Sequence, residues 1–240
     1  MSALLHGFLD NDSFFGKFMT KAGIIIGANL MFIVFSIPFF TIGAGIAALY
    51  HVMLKTLRGD GVLNPFKEFW SGFKGNFRQG TISWLAFAAV MGVLYLDLRI
   101  CREAGGVMEL VSLGVWAIIL AAVISFCFLM PVMAAFSDTI PHLIRNGWFF
   151  ALRRPLRSLV ILFFNVFPLV LTYSDIQNLP FYAFLWCMFG FGAIAMLGST
   201  LLLRQFEEFL PKSESEDAEM YDPKADEKDI LDDLKKLDGL

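Results

Sequence analysis

Histidines, cysteines and nucleophile motifs are where this 240-residue chain would show reaction chemistry. His6, His51 and His142 stand far apart and form no HExxH-type zinc pattern. Cys101, Cys127 and Cys187 fall in or beside apolar runs without CxxC spacing, so packing rather than a disulfide framework is expected of them. The sequence has no Walker A, GxGxxG or GxSxG motif, which leaves nucleotide-driven and hydrolytic chemistry without its residues. The expectation is a protein that is not an enzyme and carries no metal or other cofactor.

Polar groups inside apolar segments are a second source of chemistry, because burying them in lipid is costly. Asn29, Thr41, His51 and Asn165 are the candidate positions, with Asp97 and Asp138 near segment ends. Each has a plainer role to weigh against a functional one. Asn29 and Asn165 could make interhelical hydrogen bonds, Asp138 could cap a helix, and His51, one turn before Lys55, could sit at the interface.

The segments that position these groups define the class. Hydrophobic residues make up 57% and charged residues 17% of the chain, mean hydropathy is +0.65, and the apolar residues lie in long runs. This predicts an all-α, polytopic transmembrane helical bundle. Ala22–Leu54 contains no Asp, Glu, Lys or Arg, and as one helix it would run about 50 Å, well beyond a hydrocarbon core of about 30 Å. A break is therefore expected at Ser36–Gly43. Pro38 removes a donor there, Thr41 can cap a new helix, and Gly43 and Gly45 permit a tight turn. Two spans result, Ala22–Phe39 and Thr41–Leu57. Four more follow at about Ile82–Leu98, Leu110–Phe136, Ser158–Tyr173 and Phe181–Leu203, with a five-span arrangement as the alternative.

Between the spans, two stretches suggest surface helices. Asn64 and Pro65 give an N-cap and first helical position, and Phe66, Phe69, Trp70, Phe73 and Phe77 then recur at helical spacing among Lys67, Lys74 and Arg78. An interfacial helix over Asn64–Gln79 with its aromatic face in lipid is predicted. A second one, over 138–157, should bend at Pro155. The two align weakly at an offset of 79 residues, as in a repeat, and Gly23 with Gly27 forms a GxxxG suited to close helix approach.

Asn29-Leu30, Ser36-Ile37-Pro38, Thr41-Ile42-Gly43-Ala44 and Ala47-Ala48-Leu49-Tyr50, followed by Lys55, together resemble the opening of the YesL-like family of bacterial membrane proteins. Pro131-Val-Met-Ala-Ala-Phe and the Arg-containing stretch after it extend the resemblance over about residues 10–205. That family has no established activity. The resemblance implies a small multi-helix plasma-membrane protein, often encoded beside carbohydrate uptake and degradation genes in Gram-positive bacteria.

Charge placement gives orientation and domain limits. Six spans put twelve Lys and Arg residues on one side and only Arg99 and Arg102 on the other, which assigns both termini to the cytoplasm and the Ser36–Gly43 hairpin to the outside. Three regions are read: an interfacial segment at 1–21, a transmembrane domain at 22–205 and an acidic, largely disordered cytoplasmic tail at 206–240. Net charge is +5 over residues 1–204 and −8 over 205–240. Within the tail, Ile230, Leu231, Leu234 and Leu237 could form one face of a short amphipathic helix.

The lipid bilayer is the partner this composition requires, and nucleic acid is not expected. The function expected is a non-catalytic accessory to carbohydrate uptake, associated with ABC importer subunits. A small-solute or sugar permease is the alternative, and oligomeric state is left open.

Overall fold

The structure, a computed structural model, describes residues 14–59 and 64–209. The readings made for the first residues of the chain and for the tail from 210 onward, including its amphipathic face, lie outside the described residues. The chain forms α1 (Phe14–Ser36), α2 (Ile42–Arg58), α3 (Pro65–Ala104), α4 (Met108–Ala135), α5 (Ile140–Arg153), α6 (Pro155–Ser174), α7 (Leu179–Leu185) and α8 (Phe191–Phe206). Short 3₁₀ turns at Phe39–Thr41 and Ile176–Asn178 and a π-helical turn at Trp186–Gly190 join them. No strand occurs among the described residues. Six helical stretches are long and apolar enough to cross a membrane, and the fold is that of an all-α, multi-pass membrane protein.

The break after Ser36 falls where Pro38 requires it, but its details differ from expectation. Thr41 does not cap α2; its hydroxyl turns back toward the carbonyls of Phe35 and Pro38, which the preceding helix leaves open. Gly43 and Gly45 lie inside α2 and serve packing instead of a turn. A Cβ on Gly43 would stand 2.2 Å from the Gly80 carbonyl oxygen, and one on Gly45 would stand 3.0 Å from the Phe32 ring. Only hydrogen fits between these backbones.

That contact sets the register of α2 along α3. Gly43 lies against Gly80, His51 against Gly72, and Lys55 reaches Glu68, so the two helices run antiparallel over the first sixteen residues of α3. As predicted, Asn64 begins α3, its Oδ1 accepting from the Phe66 and Lys67 N–H groups. The helix then continues without interruption for 40 residues, roughly 60 Å. The expected surface helix and the expected third span are one element. No residue near Gln79 and Gly80 stops it, and Gly80 is retained because α2 comes so close.

The aromatic stripe is corrected for the same reason. Phe69 and Phe73 are buried, stacked on each other and against Phe35, while Phe66, Trp70 and Phe77 remain exposed. Two of the five aromatics are core, because α1 and α2 cover part of the face predicted to lie in lipid. The aligned stretch does not share this burial at one position: Leu152, which aligns with the buried Phe73, is 71% exposed. Gly27 packs against the Pro65 ring, whereas Gly23 has open space around it, so the GxxxG contributes one close contact within the chain.

α4 runs through Pro131 without ending. Asp138 lies two residues before the start of α5; its carboxylate accepts from the Thr139 N–H at 2.6 Å and pairs with His142 at 3.1 Å. Arg154 alone separates α5 from α6, which Pro155 begins, at the bend the sequence marks. The core gathers around α2, most of which is buried, together with parts of α1, α3, α4, α5 and α8. α6 is its opposite, apolar and almost wholly exposed, with only Ile161 buried.

Candidate functional site

Asn29 is the best-defined polar centre within the membrane-spanning helices. α1 brings it, fully buried, against the last span, where the helix widens into the π turn at Trp186–Gly190. Its Nδ2 donates to the Trp186 carbonyl at 2.9 Å and the Cys187 carbonyl at 2.8 Å, and its Oδ1 accepts from the Gly192 N–H at 2.9 Å. A primary amide offers two donors and an oxygen with two lone pairs, so both donors and one lone pair are engaged by the backbone of α8 and the turn before it. An inserted side chain of this kind is a recognised cause of a local break in the helix ladder.

The surroundings show how the approach is possible. A Cβ on Gly192 would stand 2.9 Å from the Ile25 carbonyl oxygen, so glycine is needed for α8 to come this near α1. Phe191 stacks between Phe32 and Trp186, with ring centroids 4.9 and 4.5 Å away. The Trp186 indole N–H donates to Thr172 Oγ1 at 3.0 Å, and Thr172 donates in turn to the Pro168 carbonyl at 2.8 Å. One amide on α1 thus organises a polar chain through the π turn into α6.

The other candidates do not join it. Thr41 is consumed at the hairpin. Asn165 back-bonds within α6, donating to the Ile161 carbonyl at 2.8 Å. The buried Tyr50 hydroxyl has the Asn165 side chain beside it and lies against Gly198. His51 belongs to a separate cluster with Lys55 and Glu68. The Lys55 Nζ is 2.8 Å from Glu68 Oε2, the His51 Nε2 is 3.8 Å from the same oxygen, and the imidazole faces the Ala134 carbonyl of α4. Asp97 makes no ion pair among the described residues.

Outside the spans, two carboxylates are held below the ordinary range. Asp138 is lowered chiefly by the Thr139 N–H, with His142 assisting, and Asp175 chiefly by the Asn178 amide and then by Tyr182. Among the described residues, no group of three His, Cys, Asp or Glu side chains is close enough to hold a metal ion.

Sequence reasoning missed Glu68, Trp186, Thr172 and Gly192. Glu68 had a usable signal, being the sole acid between Asp60 and Asp97 in a stretch that packs in a membrane protein. The π turn had none, since WCMFG carries no turn residue before Gly190.

No curated protein and no solved structure matches the chain. Residues 25–98 match a family model described as "Protein of unknown function, DUF624", a match that takes in Asn29, Thr41, His51 and Glu68 and ends before the π turn that Asn29 engages.

Proposed function

We propose that this integral membrane protein acts as a non-catalytic accessory, through contacts with a membrane partner rather than by moving or converting a solute itself. The observation that carries this reading is the state of Asn29, a fully buried polar group in the spans, whose three hydrogen bonds all go to its own chain. Both of its donors are taken, and its Oδ1, already accepting from the Gly192 N–H, is fully buried, so no donor and no exposed acceptor is left for a ligand. Thr41 and Asn165 are likewise directed at backbone carbonyls. The setting of carbohydrate uptake, with ABC importer subunits as partners, is contributed by the resemblance to YesL-like proteins. The exposed Arg145 and Arg154 on and beside α5 suit contacts on the cytoplasmic side.

A permease reading has one observation in its favour. Ser199 Oγ and Gln205 Oε1 on α8 are buried without a hydrogen-bond partner among the described residues, and the Tyr50 hydroxyl lies close to the same helix. These are groups a polar solute could use. Reconstituting the purified protein in liposomes separates the two readings. The accessory reading expects no saturable uptake of labelled mono- or oligosaccharides, with or without a proton or sodium gradient. Saturable uptake that is lost in Tyr50→Phe and Ser199→Ala would replace it with the permease.

A further inference from the structure

The hairpin between α1 and α2 differs from the turns after α3 and α6 in the charge it lacks and in how far it reaches. Its tip, Ser36–Thr41, contains no charged residue, and Ile37, Phe39 and Phe40 are 78%, 60% and 49% exposed. The turn between α3 and α4 lies among Asp97, Arg99, Arg102, Glu103 and Glu109, and the turn after α6 carries Asp175, Gln177 and Asn178. Those two have the composition of turns that meet water. The first has the composition of a surface that meets hydrocarbon.

Reach is fixed by contacts along α3. The Trp84 indole N–H donates to the Phe39 carbonyl at 2.9 Å and the two rings lie 5.4 Å apart, so the tip stands level with Trp84. Measured along the helix, Arg78 is about 9 Å below that level and Asp97 about 20 Å above it. α3 continues to Ala104, about 30 Å past the tip, accompanied by α4, whose Phe126 meets Trp84 and Phe87.

We propose that the α1–α2 hairpin is re-entrant: it enters from the side that carries Arg78 and turns back with Ile37, Phe39 and Phe40 against lipid acyl chains, without reaching the far surface. The sequence reading placed this turn outside. Irregular backbone survives at membrane depth only where the protein satisfies it, and several groups of this turn are satisfied from within the chain. The Ile37 N–H donates to Val34, the Thr41 N–H to Pro38, the Thr41 hydroxyl to Phe35 and Pro38, and Trp84 to Phe39. Four helical stretches then cross the bilayer fully, α3, α4, α6 and the α7–α8 stretch, and α1 and α2 form a wedge beside them.

The test is chemical access in the full-length protein, with Cys101, Cys127 and Cys187 replaced by alanine. Ile37→Cys, Phe40→Cys, Val107→Cys and Gln177→Cys are made singly, and intact and permeabilised cells are treated with a membrane-impermeant maleimide. A thiol among acyl chains stays protonated and out of reach, so Ile37→Cys should label at least about tenfold less than Val107→Cys and Gln177→Cys in both preparations, and fully after denaturation in SDS. Reaction at Ile37→Cys from either face, at a rate near that of Val107→Cys, overturns the proposal. Phe40→Cys carrying a bimane label gives a second reading in proteoliposomes. Stronger quenching by lipids brominated near the chain ends than by a headgroup quencher is expected, and the reverse order overturns it.

Discussion

Asn29 and Asn165 are the same amide set in apolar helices of similar length, and they do opposite work. Asn29 crosses to another helix and binds three backbone groups far away in sequence; Asn165 folds back on its own α6. Their helices differ in the same sense. α1 contributes Ile24, Ala28 and Phe32 to the core, whereas α6 contributes Ile161 and otherwise faces outward. A polar residue in a span therefore reports its helix's neighbours before it reports any ligand.

The sharpest way to break this comparison is to remove both amides. Asn29→Leu leaves two carbonyls and one N–H buried without partners and should cost about 3 kcal/mol, seen as a large fall in the denaturation midpoint in mild detergent. Asn165→Leu removes a back-bond and the amide beside the buried Tyr50 hydroxyl, and should cost about 1 kcal/mol. Equal losses would mean that the Tyr50 hydroxyl depends on Asn165 as much as the π turn depends on Asn29.

Glycines give the next largest contrast. Gly43→Ala places a methyl group against the Gly80 backbone and should cost about 2 kcal/mol, because two helices must separate. Gly23→Ala, in open space on α1, should gain about 0.5–1 kcal/mol from helix propensity alone. The same thermal titration measures both.

Smaller effects test the edges of the core. Glu68→Gln should cost about 1 kcal/mol, a figure discounted for the solvent around the partly exposed Lys55, and Lys55→Met should recover part of it in the double variant. The smallest is a pH effect at the start of α5. Asp138 has a folded value below its unfolded one, so its contribution is present above the unfolded range and is lost as pH falls through the folded value. Amide exchange at residues 139–143 should rise, relative to its intrinsic rate, on acidification below about pH 4, and Asp138→Asn should flatten that rise.

What could be read in the sequence was what is local. Pro38 marked the first break, Asn64-Pro65 the start of α3, and Pro155 the end of α5, because each acts on backbone within a turn of itself. Residues whose meaning depends on a distant helix were misread. Phe69 and Phe73 looked like a lipid face until α1 covered them, and Gly43 looked like a turn residue until Gly80 stood opposite. For Asn29 the type of role was legible, an interhelical hydrogen bond, and the partner was not. Nothing in Trp186–Gly190 signals an extra residue in its helical turn.

The clasp between Asn29 and the π turn also has a consequence in time. Asn29 enters the membrane with the first helix, while Trp186, Cys187 and Gly192 are synthesised 157 to 163 residues later. At about 5–20 residues per second, that is a wait of about 8–30 s during which the amide has none of its final partners. A nascent chain stalled before the last helix would hold an unpaid polar group in lipid, and α1 would be the part of it most exposed to insertion chaperones and membrane proteases. Release of the finished chain closes that window in one event, when the last span arrives and takes up all three hydrogen bonds.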